Sequence, residues 1–267
     1  MGGVESGEIR VRSAKTSMSP DEIREKLIAM TKLAADRMSA GSYWFKVAGK
    51  KRYVRINSSK FRAVSLDAEN PCGHLHRSNI EVRGKILKSA LFEAADPECK
   101  NHVPGNAKPE HRVQAFTIWQ ALNDPQGLPK VLGIADHVDA LWFVTDELSL
   151  PPIRADVILL GERAGRYFPV FVELKDGRTT EVAAQLNDAV KIASAVSAEF
   201  RQFLSAATGK PVDAIEMERA IPMAIWGSSD RPRPEALKMT ANLMTICHSE
   251  LGKKGEPGYG SFRFSLA

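Results

Sequence analysis

The 267-residue chain has no run of about 18 apolar residues, the length a helix needs to cross the hydrocarbon core of a bilayer. Its first residues, Met1 to Glu8, lack the apolar stretch of a signal peptide, so the expectation is a cytoplasmic protein with no membrane partner. Cysteine is scarce. Cys72, Cys99 and Cys247 are odd in number and far apart, which argues against a disulfide framework and suits a reducing compartment. The chain also lacks a Gly-rich phosphate loop, a Gly-x-Ser-x-Gly elbow and any internal repeat, so ATP-driven and serine-hydrolase chemistries lose their usual signatures. With 43% hydrophobic and 26% charged residues, the composition is that of a folded protein with a substantial core.

The net charge of +5 is unevenly distributed. Residues 1–108 hold 20 Lys and Arg against 12 Asp and Glu, whereas the remainder holds 17 against 20. The basic excess is therefore N-terminal and points to an anionic partner there. Residues 1–18 read as a flexible N-terminus. Ser19-Pro20-Asp21-Glu22 follows as a capping box with proline at the first helical position. Ile23, Leu27, Met30 and Ala34 then recur at helical spacing, and the helix stops at Ala40-Gly41. Two alternating runs around Gly49 predict a hairpin. Its cations, Lys50, Lys51, Arg52 and Arg55, with Lys60 and Arg62 beyond, lie among Tyr43, Trp44, Tyr53 and Phe61, a mixture suited to phosphate contact and base stacking. A solvated hairpin anchored by its aromatics explains each residue taken singly.

Ile80, Val82, Ile86, Leu87, Leu91 and Phe92 are compatible with a helix from Ser78 to about Ala95. Residues 96–108 read as a connecting loop and give a boundary between a basic module, 19–108, and a second unit, 109–267. Cys72, His74, His76, Cys99 and His102 carry zinc-type donors, but their spacing matches no standard finger.

From Pro109 the expected order is a helix to Leu122, a strand from His137 to Leu148 and two more strands. A long helix from Thr179 to Ala207, a strand Ala220–Gly227, a helix Pro234–Leu251 and a strand Tyr259–Leu266 complete it. The predicted class is α/β, a mixed central sheet flanked by helices, with an N-terminal basic α+β module.

The second and third of these strands carry charge where apolar strands exclude it. Arg154-Ala155-Asp156-Val157-Ile158-Leu159-Leu160 and Val170-Phe171-Val172-Glu173-Leu174-Lys175 flank the polar stretch Gly161–Arg166. Residues two apart on a strand share a face, so Glu173 and Lys175 point together. A turn centred on Ala164 and Gly165 brings Asp156 opposite Glu173. A buried charge must be paired, bind a metal or serve chemistry, because desolvation is costly.

Asp156 with Glu173-Leu174-Lys175 resembles the PD-(D/E)xK nuclease superfamily, in which an acid on one strand is followed by an acid-x-Lys tripeptide on the next. Ala155 stands at the family's proline position, and Ala189 stands where exonuclease-like branches carry a tyrosine after a glutamine such as Gln185. The resemblance implies a restriction-endonuclease-like core and a Mg²⁺-dependent endonuclease acting on DNA, with Mn²⁺ as a substitute, RNA not excluded and a homodimer for double-strand cleavage. It implies Asp156 and Glu173 as metal ligands, Glu110 on the preceding helix as a third, Lys175 as the residue orienting water, and Gln185 near it. An exposed ion pair explains the tripeptide without a site, and the helix dipole explains an acid at Glu110 equally well. A non-catalytic nucleic-acid-binding protein on the same fold, or an interaction module of a defence or repair complex, is the alternative function.

Overall fold

The computed structural model describes residues 17–39, 44–47, 50–57, 60–66, 75–83, 109–175, 181–227, 243–252 and 262–266, and the strands between 44 and 83 by their backbone. Helix α1 spans Pro20–Ser39. Ser19 caps it as its sequence predicts: the Ser19 amide donates to Glu22 Oε2 at 2.7 Å, and the Glu22 amide donates to Ser19 Oγ at 3.3 Å. Strands β1 (Trp44–Val47), β2 (Lys50–Asn57), β3 (Lys60–Leu66) and β4 (Leu75–Arg83) form an antiparallel sheet in that order. β1 and β2 pair antiparallel as the expected hairpin requires, but the helix expected from Ser78 is absent over residues 78–83, which belong to β4. The β-branched pair Ile80 and Val82 has a spacing of two, which matches a strand, and β3 supplies the ladder. The expected continuation through Ile86, Leu87, Leu91 and Phe92 lies outside the described residues.

The second sheet has six strands: β5 (Ala140–Leu150), β6 (Ile153–Arg163), β7 (Arg166–Lys175), β8 (Ile221–Gly227), β9 (Met244–Glu250) and β10 (Phe262–Leu266). They are ordered β10-β9-β8-β7-β6-β5, with β7, β8 and β9 mutually parallel and the remaining neighbours antiparallel. Helices cover both faces, so its strands are apolar on both sides. On one face α1, α4 (Glu181–Ala195) and α5 (Ser197–Thr208) pack over Val144, Leu148, Ile158, Leu160 and Phe171. On the other, α2 (Pro109–Asn123) and α3 (Leu128–Leu132) pack over Leu141, Phe143, Leu159, Val170 and Val172. The fold is thus α/β, with a mixed sheet flanked by helices. Among the described residues no helix is long and apolar enough to cross a membrane.

Three further elements correct the sequence reading. The single helix expected over Thr179–Ala207 is broken at Val196, which leaves helical geometry at φ −118°, ψ 38°. The helix expected over Pro234–Leu251 is overturned at its C-terminal end: Met244–Glu250 forms β9, while 228–242 lie outside the described residues. Pairing on both sides, with β8 and β10, provides the ladder that helical spacing of Leu243 and Ile246 could not reveal. The first strand of this sheet starts at Ala140 rather than His137.

The hairpin that matters most is β6–β7. Its two-residue turn places Ala164 at φ 51° and Gly165 at φ 73°, the pair of positive φ values that matches the strands' twist. Asp139 holds the turn, accepting from the Ala164 amide at 2.8 Å and from Arg163 at 2.5 Å. Gly161 permits close approach in the same hairpin, since a Cβ there would lie 2.4 Å from the Phe168 ring. The turn fixes the register at Arg163–Arg166 and carries it to Val157–Val172.

Candidate active site

The next position in that register would pair Asp156 with Glu173, and there the ladder stops. The β5–β6 register also passes over this point: Asp146 pairs with Val157 and Leu148 with Ala155, and Glu147 and Asp156 lie between those two pairs. Glu147 has φ 50°, a left-handed backbone uncommon in a non-glycine residue. The apolar faces of β6 change over here too. Ile158 and Leu160 pack on the α1 side, and so do Ile153 and Ala155, although strict alternation would put odd and even residues on opposite faces. Asp156 therefore stands where β6 parts from β7 and its pairing with β5 is interrupted for one residue.

Side chains replace the missing ladder. The Leu174 amide donates to Asp156 Oδ2 at 2.7 Å. Gln114, on α2, donates from Nε2 to the Asp156 carbonyl at 3.1 Å and to Glu147 Oε1 at 3.2 Å. Lys175 Nζ donates to Glu173 Oε1 at 2.5 Å. The opening forms a cavity of about 90 Å³ lined by Glu110, Gln114, Glu147, Asp156, Leu174 and Lys175. That is room for roughly three waters.

The sequence-derived residues Asp156, Glu173, Lys175 and Glu110 are brought into one neighbourhood. Glu173 is 4% exposed and lies behind the lining, joined to it through Lys175. Gln185 lies half-buried on α4 and is not among the lining residues. Glu147 and Gln114 were not anticipated. The signal for Glu147 was available, an acid within a mostly apolar strand, but Gln114 reads simply as one polar residue on a helix.

The electrostatics are those of carboxylates lacking sufficient positive charge. Burial, and then the charge of Glu173, raises the Asp156 carboxyl to about 7, with Glu147 adding to the effect and the Leu174 amide and Lys175 opposing it. Burial works to lower the Lys175 ammonium, but its bond to Glu173 and the charges of Glu173, Asp156 and Glu110 outweigh this and raise it. Lys175 is therefore a cation at neutral pH and serves as a donor, not a base.

Among the described residues no three His, Cys, Asp or Glu side chains converge closely enough to hold a metal ion as they stand. Their oxygens are engaged by Leu174, Gln114 and Lys175 instead. The donor set nevertheless fits a hard divalent cation: all-oxygen ligands around a small polar cavity, with Asp156 raised first by burial and then by neighbouring negative charge that a cation would offset.

The basic residues fall on neighbouring strands by backbone register. Lys50, Lys51, Arg52 and Arg55 are on β2 and Lys60 and Arg62 on β3, with Arg55 opposite Arg62 and Lys60 opposite Asn57. Of the zinc-type donors, His76 is on β4 opposite Ser65, while Cys72, His74, Cys99 and His102 lie outside the described residues. No protein-family model, curated protein or solved structure matches the chain.

Proposed function

We propose that the chain is a Mg²⁺-dependent nuclease with a restriction-endonuclease-like core, hydrolysing phosphodiester bonds of DNA, with Mn²⁺ as a substitute cation. The observation that carries this reading is the meeting of Asp156, Glu173 and Lys175 at the point where β6 parts from β7 and its pairing with β5 is interrupted, beside a polar cavity lined also by Glu110 and Glu147. Asp156 and Glu173 hold the cation in this reading, with Glu110 as a third ligand. When bound, such an ion polarises the phosphate and lowers the pKa of a coordinated water. Lys175, kept protonated, offsets charge on the phosphate and orients the attacking water by donating to it. The Leu174 amide fixes the Asp156 carboxylate, so its orientation is set before substrate arrives.

The cations of β2 and β3 would hold the DNA backbone, and a homodimer would supply two centres for double-strand cleavage. The experiment is cleavage of supercoiled plasmid with and without Mg²⁺ by wild type, Asp156→Ala and Lys175→Ala. Nicking or linearisation that needs Mg²⁺ and disappears in both variants is expected. Equal cleavage by wild type and Lys175→Ala refutes the assignment, and salt-sensitive DNA binding without any cleavage favours the non-catalytic alternative.

A further inference from the structure

Gln114 lies one helical turn after Glu110 on α2 and is 2% exposed. Holding α2 against the sheet does not require a polar side chain, because Val113, Ala115 and Ile118 already contribute buried apolar surface there. A buried carboxamide is costly unless its hydrogens are bonded. Both hydrogens of Nε2 have an acceptor here, the Asp156 carbonyl on β6 and Glu147 Oε1 on β5. These are the two residues that the strand pairing skips. One side chain thus spans the gap where the ladder is interrupted and joins three elements at the wall of the cavity.

We infer that Gln114 is a positioning residue of this site: it locks Asp156 and Glu147 into one unit and so sets the spacing of carboxylates across the cavity. The inference rests on the nuclease reading for what those carboxylates do. Asp156 has two tethers, one on each of its ends. The Leu174 amide fixes the carboxylate and Gln114 fixes the carbonyl. Without Gln114 the β6 backbone at Asp156 loses this hydrogen bond to α2, and Glu147 loses the one that ties its carboxylate to the same side chain. Outer-shell partners of this kind typically contribute about 10- to 100-fold in metal affinity or activity.

The test uses the full chain as wild type, Gln114→Met, which keeps the length and removes the donors, and Gln114→Asn, which keeps a carboxamide one methylene shorter. Mn²⁺ binding is measured without DNA by the electron paramagnetic resonance of the free ion, folding by circular dichroism, and plasmid cleavage by kcat and KM. The expected result is a folded Gln114→Met with Mn²⁺ affinity and kcat each reduced about tenfold, and KM for plasmid unchanged. Gln114→Asn is expected to fall between the two, and it decides the matter if Gln114→Met does not fold. A folded variant with wild-type Mn²⁺ affinity and kcat overturns the inference and leaves Gln114 as packing alone. Wild-type protein that binds no Mn²⁺ and cleaves nothing overturns the nuclease reading itself, and the inference with it.

Discussion

Replacing Asp156 by asparagine isolates the electrostatic cost built into the site. Burial, followed by the charge of Glu173, moves the Asp156 carboxyl from its ordinary 3.8 to about 7. The folded chain therefore holds this proton more tightly than the unfolded chain does. Its contribution to stability is complete below the unfolded value of 3.8 and is lost as pH rises toward 7. At about 1.4 kcal/mol per pH unit, the loss is on the order of 4 kcal/mol once the group is ionised. Asparagine has the same shape, stays neutral and keeps an oxygen to accept from Leu174, but it adds an amide whose imperfect bonding costs about 1 kcal/mol. Without divalent cation, Asp156→Asn should match or fall slightly below wild type in urea unfolding near pH 4. At pH 8 it should exceed wild type by about 3 kcal/mol. Titrating groups away from the site are common to both proteins and cancel in the difference, and Lys175, raised above its ordinary 10.5, stays charged throughout this range. A difference that stays constant from pH 4 to pH 8 refutes the argument that burial and charge are concentrated at Asp156. In the nuclease reading, Mg²⁺ at pH 8 raises the wild-type midpoint and leaves that of the variant unchanged.

Two further predictions separate backbone strain that serves a turn from backbone strain that serves the site. Ala164 is at φ 51° in the β6–β7 turn, so Ala164→Asn should stabilise the chain by about 0.5–1 kcal/mol in urea unfolding without changing cleavage or Mn²⁺ binding. Glu147 is at φ 50° within a strand, so Glu147→Gly should relieve about 1–2 kcal/mol of strain and lose a hydrogen bond worth about 1 kcal/mol, leaving stability within about 1 kcal/mol of wild type. Its Mn²⁺ affinity should fall nonetheless, and a stability loss well beyond that range would show that the left-handed backbone carries little strain.

Much of the larger sheet was legible because its signals are local. The capping box at Ser19, the turn residues Ala164 and Gly165, and the apolar runs of β6 and β7 each determine structure within a few residues. Where the sequence reading failed, the deciding contacts were distant. Met244–Glu250 is a strand because β8 and β10 flank it, and the break at Val196 comes with neither proline nor glycine to announce it. Residues 78–83 differ in kind: Ile80 and Val82 have a strand's spacing, while Ile86, Leu87, Leu91 and Phe92 after them have a helical one.

The site shows the same division at higher resolution. Asp156, Glu173 and Lys175 were legible together because a two-residue turn makes pairing across a hairpin simple: once Ala164 and Gly165 are the turn, every opposite pair follows. Glu147 depends on a second register, β5 against β6, and that register shifts by one residue between Phe143 and Thr145. A one-residue slip exchanges the two faces of a strand. The adjacent acids Asp146 and Glu147 could therefore not be told apart from sequence: the shift decides which approaches Asp156. In the fold Asp146 is fully buried and Glu147 lines the cavity. Charge in an apolar strand thus identifies β5 as surely as β6 and β7, but the acid that faces the chemistry is chosen by a bulge that nothing local encodes.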